Sequence, residues 1–285
     1  MKLTRQIVFA VGLCLLRCGL VVAQAAQPAP VKPPPLRAQV EARETAIDSN
    51  LPEDEATKAT LAPYVGKVRE LAQPIGKLTE DLQKFGIGGG AMGNVITDAM
   101  RNRAAKALGR PVMLAITNSG GLRKNDIKAG IISTMDIYEL LPFDNALVSL
   151  DLTGEQLRRF LAVVVARRDA QSGARIIYRA NEEKKIIIVS ARLGERDNNA
   201  SEINPTAVYS IVTIDYLVKR GGDYAVLQEG KNLKPLNLTL RDAVLDYIKA
   251  ETAAGRDIRA ARDGRFRPDR STPATPAAED KEPPR

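Results

Sequence analysis

The stretch STMDIYELLPFDNALVSLDLTGEQ, residues 133–156, carries helix and strand signals side by side. Ser133 is a typical helix N-cap, and a helix that starts there should end before Pro142, because proline disfavours helical geometry in the preceding residue. The apolar run at 146–152 predicts a strand. TGEQ at 153–156 has the spacing of a capping box and predicts the start of a second helix. Such close alternation predicts a domain that mixes helices and strands.

Upstream of this stretch, we predict helix over residues 53–84, punctuated by two prolines. GIGGG at 86–90 predicts a flexible break in the chain. Residues 91–108 place apolar side chains at helical spacing, which indicates an amphipathic helix. PVMLAIT at 111–117 predicts a short buried strand.

Downstream, two apolar runs at 174–180 and 185–191 flank NEEK and predict a β-hairpin. AVYSIVTID at 207–215 predicts another strand, and Thr239 is placed to cap a last helix. A hairpin requires antiparallel pairing, so the pattern as a whole predicts an α+β or mixed α/β domain.

Residues 1–25 have the parts of a secretory signal peptide: a basic start, a short apolar run at 7–16 and small residues at 23–25. The apolar run is too short to span a bilayer. We therefore expect a periplasmic or secreted protein whose mature chain begins at Ala26. The alternatives, an uncleaved membrane anchor and lipidation at Cys18, are both disfavoured by Arg17. We expect no stable membrane span after cleavage.

The rest of the chain divides by composition into three parts. Residues 26–46 are rich in proline and predict an extended linker. Residues 47–253 hold the helix and strand signals and form the expected domain. Residues 254–285 end in a tract of proline and charged residues, which predicts a disordered tail.

Composition also excludes several functions. Signal cleavage removes three basic residues and lowers the formal charge from +8 to +5, with both signs mixed along the chain, so we expect no nucleic-acid binding. Both cysteines lie in the signal, which leaves the mature chain without a disulfide. The chain has no histidine, which excludes a Ser-His triad and any metal site with histidine ligands.

Four segments, in order, carry a family resemblance: MGNVITDAMR (92–101), TNSGGLR (117–123), MDIYELLPFDNALVSLDLTGEQL (135–157) and DYLVKRGGDY (215–224). Together they resemble the C-terminal domain of the 5′-nucleotidase / UDP-sugar hydrolase family. The resemblance implies an α+β fold with mixed sheets covered by helices. It also implies the substrate-binding half of an enzyme whose catalytic half is a metallophosphatase domain with two metal ions and several histidine ligands.

We therefore expect an exported domain that binds a nucleotide or nucleoside and acts with a separate metallophosphatase chain. We expect no catalytic residue, metal or cofactor in this chain, because the residues before 47 leave no room for that domain and no histidine is present. The alternative is a scaffold that kept the fold and lost its ligand. A phosphohydrolase acting alone is disfavoured, because the metal pair and the general acid of the family have no counterparts here.

The resemblance assigns Asn118 to the base, and an amide offers both a donor and an acceptor to a purine edge. It places Gly120 and Gly121 against the ligand and Arg123 against phosphate, which a guanidinium binds through paired hydrogen bonds. From the residues alone, Asn118 is equally a turn residue, the glycines a simple turn and Arg123 a solvated surface residue.

Phe143 and Tyr216 resemble the two aromatic residues that stack on the base, and Asp223 resembles the carboxylate that accepts from the ribose hydroxyls. The alternatives are a core position for Phe143 and a turn for Asp223. Two departures from the family pattern bear on binding: Ser119 and Asp144 each replace a glycine.

Three further departures lie outside these two positions. Tyr224 replaces the glycine that follows Gly-Gly-Asp, and one extra residue lies between Tyr216 and that motif. GIGGG at 86–90 stands where the family has a charged or polar stretch, and Lys84 is the nearest cation to it. These changes make us expect weaker recognition of phosphate than of base and ribose.

Overall fold

The computed structural model describes residues 44, 51–259 and 263–271, and a compact unit begins at Asp54. The predicted signal peptide (1–25) lies outside the described residues, as does all of the predicted linker (26–46) except Glu44. Among the described residues, no helix has the length and apolar character needed to cross a membrane.

The described residues form helices and strands that mix along the chain. The helices are α1 (Glu55–Leu71), α2 (Gly90–Leu108), α3 (Thr134–Leu140), α4 (Gly154–Ala166), α5 (Asp215–Arg220) and α6 (Leu240–Ala253). The strands are β1 (Pro74–Leu78), β2 (Leu82–Gln83), β3 (Leu114–Thr117), β4 (Asp126–Ile127), β5 (Gly130–Ser133), β6 (Ala146–Thr153), β7 (Ala170–Ser172), β8 (Ala174–Ala180), β9 (Ile186–Leu193), β10 (Ser201–Glu202), β11 (Val208–Ile214), β12 (Lys231–Thr239) and β13 (Phe266–Pro268).

A five-stranded sheet, in the order β12-β6-β11-β3-β7, forms the centre of the fold. β3 and β11 run parallel, while β6 is antiparallel to β11 and β7 is antiparallel to β3. A second sheet has the order β10-β9-β8-β13, and its β8–β9 pair is the predicted hairpin. The expected α+β architecture with mixed sheets is therefore confirmed.

The hydrophobic core forms where helices cover the central sheet. α2 contributes Met92, Ile96, Met100 and Ala104, which are fully buried and spaced four residues apart along one face. α4 and α6 contribute further buried faces, and every residue of β3 is buried. Strands buried on both faces account for the continuous apolar run that the sequence shows at β3.

Hydrogen bonds at the predicted caps fix where three helices begin. Ser133 with Asp136, Thr153 with Gln156 and Thr239 with Asp242 each form a reciprocal capping box. Each pair satisfies two backbone N–H groups that would otherwise lack partners, which explains why α3, α4 and α6 begin where their sequences indicate.

Two predictions upstream of residue 91 were wrong. The helix expected over 53–84 ends at Leu71, and the chain continues into β1 and β2, whose partners β5 and β4 lie far away in sequence. The expected flexible break at 86–90 is instead a turn whose central residues, 87–89, are buried, and Gly88 has a φ of 81°. A Cβ atom at Gly88 would lie 2.4 Å from Cε2 of Phe266, so packing as well as backbone geometry requires glycine there.

The domain also extends past the expected boundary at residue 253. β13 pairs with β8, and Ile258 forms a bridge with Leu78. Arg265 is buried and donates to Asp98, to Asp263 and to the carbonyl oxygen of Gln171. The expected disordered tail (254–285) is therefore too long, because a buried charge and a strand pairing hold residues 263–268 against the fold.

We predict that Arg265→Ala lowers the free energy of unfolding by about 2–3 kcal/mol, because Asp98 and Asp263 lose a buried charged donor. Arg267→Ala is the control: Arg267 is exposed and its ion pair with Asp197 should contribute less than about 1 kcal/mol. Urea unfolding of both variants measures the difference. Equal effects of the two substitutions would contradict an anchoring role for Arg265.

Candidate functional site

Four segments come together at one edge of the central sheet, and the predicted site residues lie on three of them. Because β3 and β11 are parallel neighbours, with Leu114 opposite Ile211, the segments that follow Thr117 and Ile214 leave the sheet at the same edge. β6 begins at this edge, since Leu147 lies opposite Ile214. β7 begins there as well, since Ala170 lies opposite Thr117.

Asn118 follows β3 directly and starts a single tight turn. Its carbonyl oxygen accepts from the N–H of Gly121 at 3.1 Å. Its side-chain Oδ1 is buried and has no hydrogen-bond partner among the described residues. The backbone of Asn118 therefore forms the predicted turn, and its side-chain oxygen is buried without a donor among the described residues.

The two glycines of this turn lie against the side chain of Asn118. Neither Gly120 nor Gly121 has a positive φ. A Cβ atom at Gly121 would lie 3.3 Å from Asn118 Oδ1, and one at Gly120 would lie 3.4 Å from Asn118 Nδ2. The glycines therefore leave room for the Asn118 amide rather than permit a left-handed backbone.

Arg123 is exposed at the end of the same segment, and its backbone N–H donates to the carbonyl oxygen of Leu140 at 2.8 Å. Lys84 reaches this place from the end of β2, where its ammonium group donates to the carbonyl oxygen of Leu122 at 2.8 Å. Burial, with a further contribution from the charge of Arg123, lowers the pKa of Lys84. Two cations therefore lie close together beside the turn.

Phe143 is 49% exposed, which rules out the core position that its sequence context allows. Asp144, beside it, forms an ion pair with Arg241, whose guanidinium also lies over the ring of Tyr138 at 4.3 Å. The negative charge that Asp144 adds to the family pattern is thus compensated by a neighbouring cation.

Tyr216 lies in the first turn of α5 and is 43% exposed. The adjacent Asp215 accepts from the backbone N–H of Ala146 at 3.0 Å, which ties the Tyr216 segment to the segment that follows Phe143. Arg220 donates to the Tyr216 hydroxyl at 3.2 Å. Two half-exposed aromatic side chains are therefore carried on hydrogen-bonded neighbouring segments.

Asp223 follows two glycines that both have positive φ, 63° at Gly221 and 60° at Gly222. Asp223 is exposed, and its Oδ2 accepts from Arg167 at 2.6 Å. Asp223 therefore lies in a turn, as the alternative predicted, but it also carries a free acceptor. Its second carboxylate oxygen has no hydrogen bond among the described residues.

Asp169 is a site residue that the sequence analysis missed. It is 2% exposed and accepts from the backbone N–H of Ser119 at 3.1 Å and from the hydroxyl of Tyr224 at 2.6 Å. Burial raises the pKa of Asp169 to about 6, against the lowering effect of these hydrogen bonds and of Arg167 and Arg220. No sequence signal pointed to it, because the three-residue strand β7 that follows Asp169 was not predicted.

The side chains at the departures from the family pattern are engaged within the protein. The Ser119 hydroxyl donates to the carbonyl oxygen of Arg168, and Tyr224 is buried with Arg167 over its ring at 5.5 Å. Burial, and then the hydrogen bond to Asp169, raise the pKa of Tyr224. Within the first motif, Asn94 lies inside α2, and Asp98 accepts from Ser172 and Arg265.

A cleft of about 1150 Å³ lies elsewhere, between α2, the β9–β10 turn and the segment around Arg265. The guanidinium groups of Arg101, Arg175 and Arg265 are each paired with carboxylates of that cleft. These three cations are therefore already paired, and the sheet edge, where the predicted residues come together, is the stronger candidate. Within residues 51–259 and 263–271, no cluster of three or more Cys, Asp or Glu side chains is placed to hold a metal ion.

We predict that ionisation of Asp169 makes stability fall as pH rises from about 4 to 6. Its pKa in the folded protein, about 6, exceeds the ordinary value of 3.8, so the folded state holds the proton more tightly. The unfolding free energy of wild type relative to Asp169→Asn should therefore fall by about 2 kcal/mol between pH 4 and pH 7. Urea unfolding at each pH measures it, and parallel pH profiles would contradict the assignment.

Comparisons with known proteins agree with the resemblance. The 5′-nucleotidase of Vibrio vulnificus (strain CMCP6) is 32% identical over 133 residues, which are 45% of this chain and 23% of that protein. Protein UshA of Escherichia coli (strain K12) is 24% identical over 177 residues, 60% of this chain and 30% of UshA. The chain thus spans less than a third of the length of these two relatives.

Solved structures lead to the same family. The 5′-nucleotidase precursor from Thermus thermophilus has 25% sequence identity and a TM-score of 0.63, over 78% of this chain and 44% of that one. The Haemophilus influenzae NAD nucleotidase, at 20% identity and a TM-score of 0.56 over 77% of this chain and 42% of that one, shares the fold. A family model described as 5′-nucleotidase, C-terminal domain, matches residues 72–229, which is more than half of the chain. This protein therefore belongs to the 5′-nucleotidase family, whose C-terminal domain it contains.

Proposed function

We propose that this chain is an exported nucleotide- or nucleoside-binding domain that supplies substrate recognition to a separate metallophosphatase chain. The observation that carries the proposal is the meeting of three segments at one sheet edge, which bring Asn118, Phe143, Tyr216 and Asp223 there with side chains that are exposed or only partly hydrogen-bonded within the described residues. The family match and the names of the relatives, which include 5′-nucleotidases, support a nucleotide as the ligand.

The base is assigned to Asn118, Phe143 and Tyr216. The buried Oδ1 of Asn118 lacks a donor among the described residues, and an exocyclic amine or ring N–H of a base supplies one. Phe143 and Tyr216 each leave nearly half of their surface exposed. Stacking a base on such rings contributes about 1–3 kcal/mol per base and tolerates different bases.

The sugar and the phosphate are assigned to the charged groups around the turn. Asp223 is an exposed carboxylate with one oxygen held by Arg167, which leaves the other to accept from a ribose hydroxyl. Arg123 and Lys84 form the pair of cations for phosphate. Gly120 and Gly121 keep the backbone between these groups without side chains.

We expect the chain to bind but not to hydrolyse. The sequence has no histidine, and the carboxylates at the sheet edge are each engaged with arginine, tyrosine or backbone groups. Divalent metals, with the water activation that they provide, would belong to the catalytic partner. Export rests on the signal-peptide pattern of residues 1–25.

One observation favours a scaffold as the second candidate function. The Ser119 hydroxyl and the Tyr224 hydroxyl, which depart from the family pattern, are both used inside the protein rather than left for a ligand. If these two hydroxyls occupy the space that a ligand would need, the wild-type chain should bind no nucleoside. Phe143→Ala and Asp223→Ala should then leave partner binding unchanged.

We predict that adenosine and AMP bind the wild-type chain in titration calorimetry, and that Tyr216→Ala weakens both by about 10- to 100-fold, because a stacking surface is lost. The matched control is Tyr64→Ala, which removes a 65% exposed tyrosine from α1 and should leave both affinities unchanged. If adenosine, AMP and UDP-sugars all give neither heat nor a thermal shift with the wild type, the binding function is wrong.

We predict that the purified chain releases no phosphate from AMP in the presence of Mg²⁺, Mn²⁺ or Zn²⁺, because it has no histidine to complete a ligand set for a metal pair. Adding an exported metallophosphatase from the same source should start the release, or lower the substrate concentration at which it is half-maximal. Phosphate release by the chain alone, abolished by a chelator, would overturn the division into binding and catalytic chains.

A further inference from the structure

A continuous chain of hydrogen bonds joins three of the four segments at the sheet edge. Asp169 accepts from the N–H of Ser119 through Oδ1 and from the hydroxyl of Tyr224 through Oδ2. Arg167 donates through Nε to the Tyr224 hydroxyl at 3.0 Å and through Nη1 to Asp223 at 2.6 Å. The turn that holds Asn118 is thereby connected to the carboxylate assigned to ribose.

The short turn between α4 and β7 supplies both connecting residues. Arg167 follows the last residue of α4, Arg168 has a left-handed φ of 59°, and Asp169 precedes β7. The Arg168 carbonyl oxygen accepts from the Ser119 hydroxyl and from the N–H of Gly88 at 3.3 Å. This turn is therefore fixed on both sides, so it can hold other groups in place.

The groups around Asp169 lower its pKa and so offset part of the rise that burial causes. Arg167 from its own turn and Arg220 from α5 act on it through their positive charges, and Tyr224 and the Ser119 backbone donate to it. Tyr224 also has Arg220 over its ring at 5.8 Å. Asp223, the nearby carboxylate, is paired with Arg167.

We propose that Arg167 and Asp169 are positioning residues for the ligand, and that the ionised form of Asp169 is the one competent to bind nucleoside. This inference rests on the proposed nucleoside-binding function. A carboxylate accepts through both oxygens, so it can hold the Ser119 turn and Tyr224 at the same time. A proton on Oδ1 removes the acceptor of the Ser119 N–H, and a proton on Oδ2 reverses the hydrogen bond with Tyr224, whose hydroxyl also accepts from Arg167. Either change alters the link between the two segments.

The inference predicts a specific pH dependence of binding. Since burial raises the pKa of Asp169 to about 6, roughly a tenth of the protein is ionised there at pH 5 and roughly nine tenths at pH 7. If only the ionised form binds, the apparent Kd falls about tenfold over this interval. Adenosine is the appropriate probe, because the phosphate group of AMP itself titrates near pH 6.

The test is calorimetric titration of adenosine into the full chain at pH 5, 6, 7 and 8. Wild type should bind about tenfold more tightly at pH 7 than at pH 5. Asp169→Asn should bind at pH 7 as weakly as wild type does at pH 5, with no pH dependence. The control is Asp246→Asn, which changes an exposed carboxylate on α6 that is paired with Arg103 of α2. It should keep the wild-type profile.

A second variant tests the same role with less risk of disturbing the fold. Tyr224→Phe keeps the buried ring and removes only the hydroxyl that joins Asp169 to Arg167, so we expect adenosine affinity to fall roughly fivefold at pH 7. The Ser119 amide resonance in NMR spectra without ligand should titrate near pH 6 in wild type and not in Asp169→Asn.

The outcomes separate the inference from the proposed function. Adenosine binding with the same pH profile in wild type and Asp169→Asn would overturn the inference alone, as would full affinity in Tyr224→Phe. Absence of adenosine binding by wild type at every pH would overturn the proposed function, and the positioning role with it.

Discussion

The parallel pairing of β3 with β11 is the constraint on which the site depends. Parallel neighbours deliver their following segments to the same edge of a sheet, so Asn118 and Tyr216 lie at one edge although they are far apart in sequence. The antiparallel partners β6 and β7 begin at that edge and bring Phe143 and Asp169 to it. A register shift in any of these pairs would move a whole segment away from the others.

Charge compensation determines which polar groups remain for a ligand. Asp144 is paired with Arg241, Asp223 shares one oxygen with Arg167, and Asp169 is bonded on both oxygens. Such pairing fixes the side chains before a ligand arrives, which reduces the entropy lost on binding. The acceptor of Asn118 stands out because it is buried without a donor among the described residues.

Local signals in the sequence predicted the helix caps at Ser133, Thr153 and Thr239, the β8–β9 hairpin and the strands at β3, β6 and β11, because each depends on residues close in the chain. The strands β1 and β2 were missed, since their partners lie far away in sequence. Family motifs predicted Asn118, Phe143, Tyr216 and Asp223 as site candidates. Asp169 belongs to no motif, and its importance appears only when the hydrogen bonds to Ser119 and Tyr224 are seen.

The contact between Gly88 and Phe266 also constrains how the sequence can vary. Any side chain at position 88 would meet the aromatic ring of β13 and would also need a left-handed backbone. A chain without an equivalent of β13 would escape the first restriction but not the second. Position 88 is therefore restricted twice, by its left-handed backbone and by the ring of Phe266. A side chain at 88 can be accommodated only if residue 266 is also smaller.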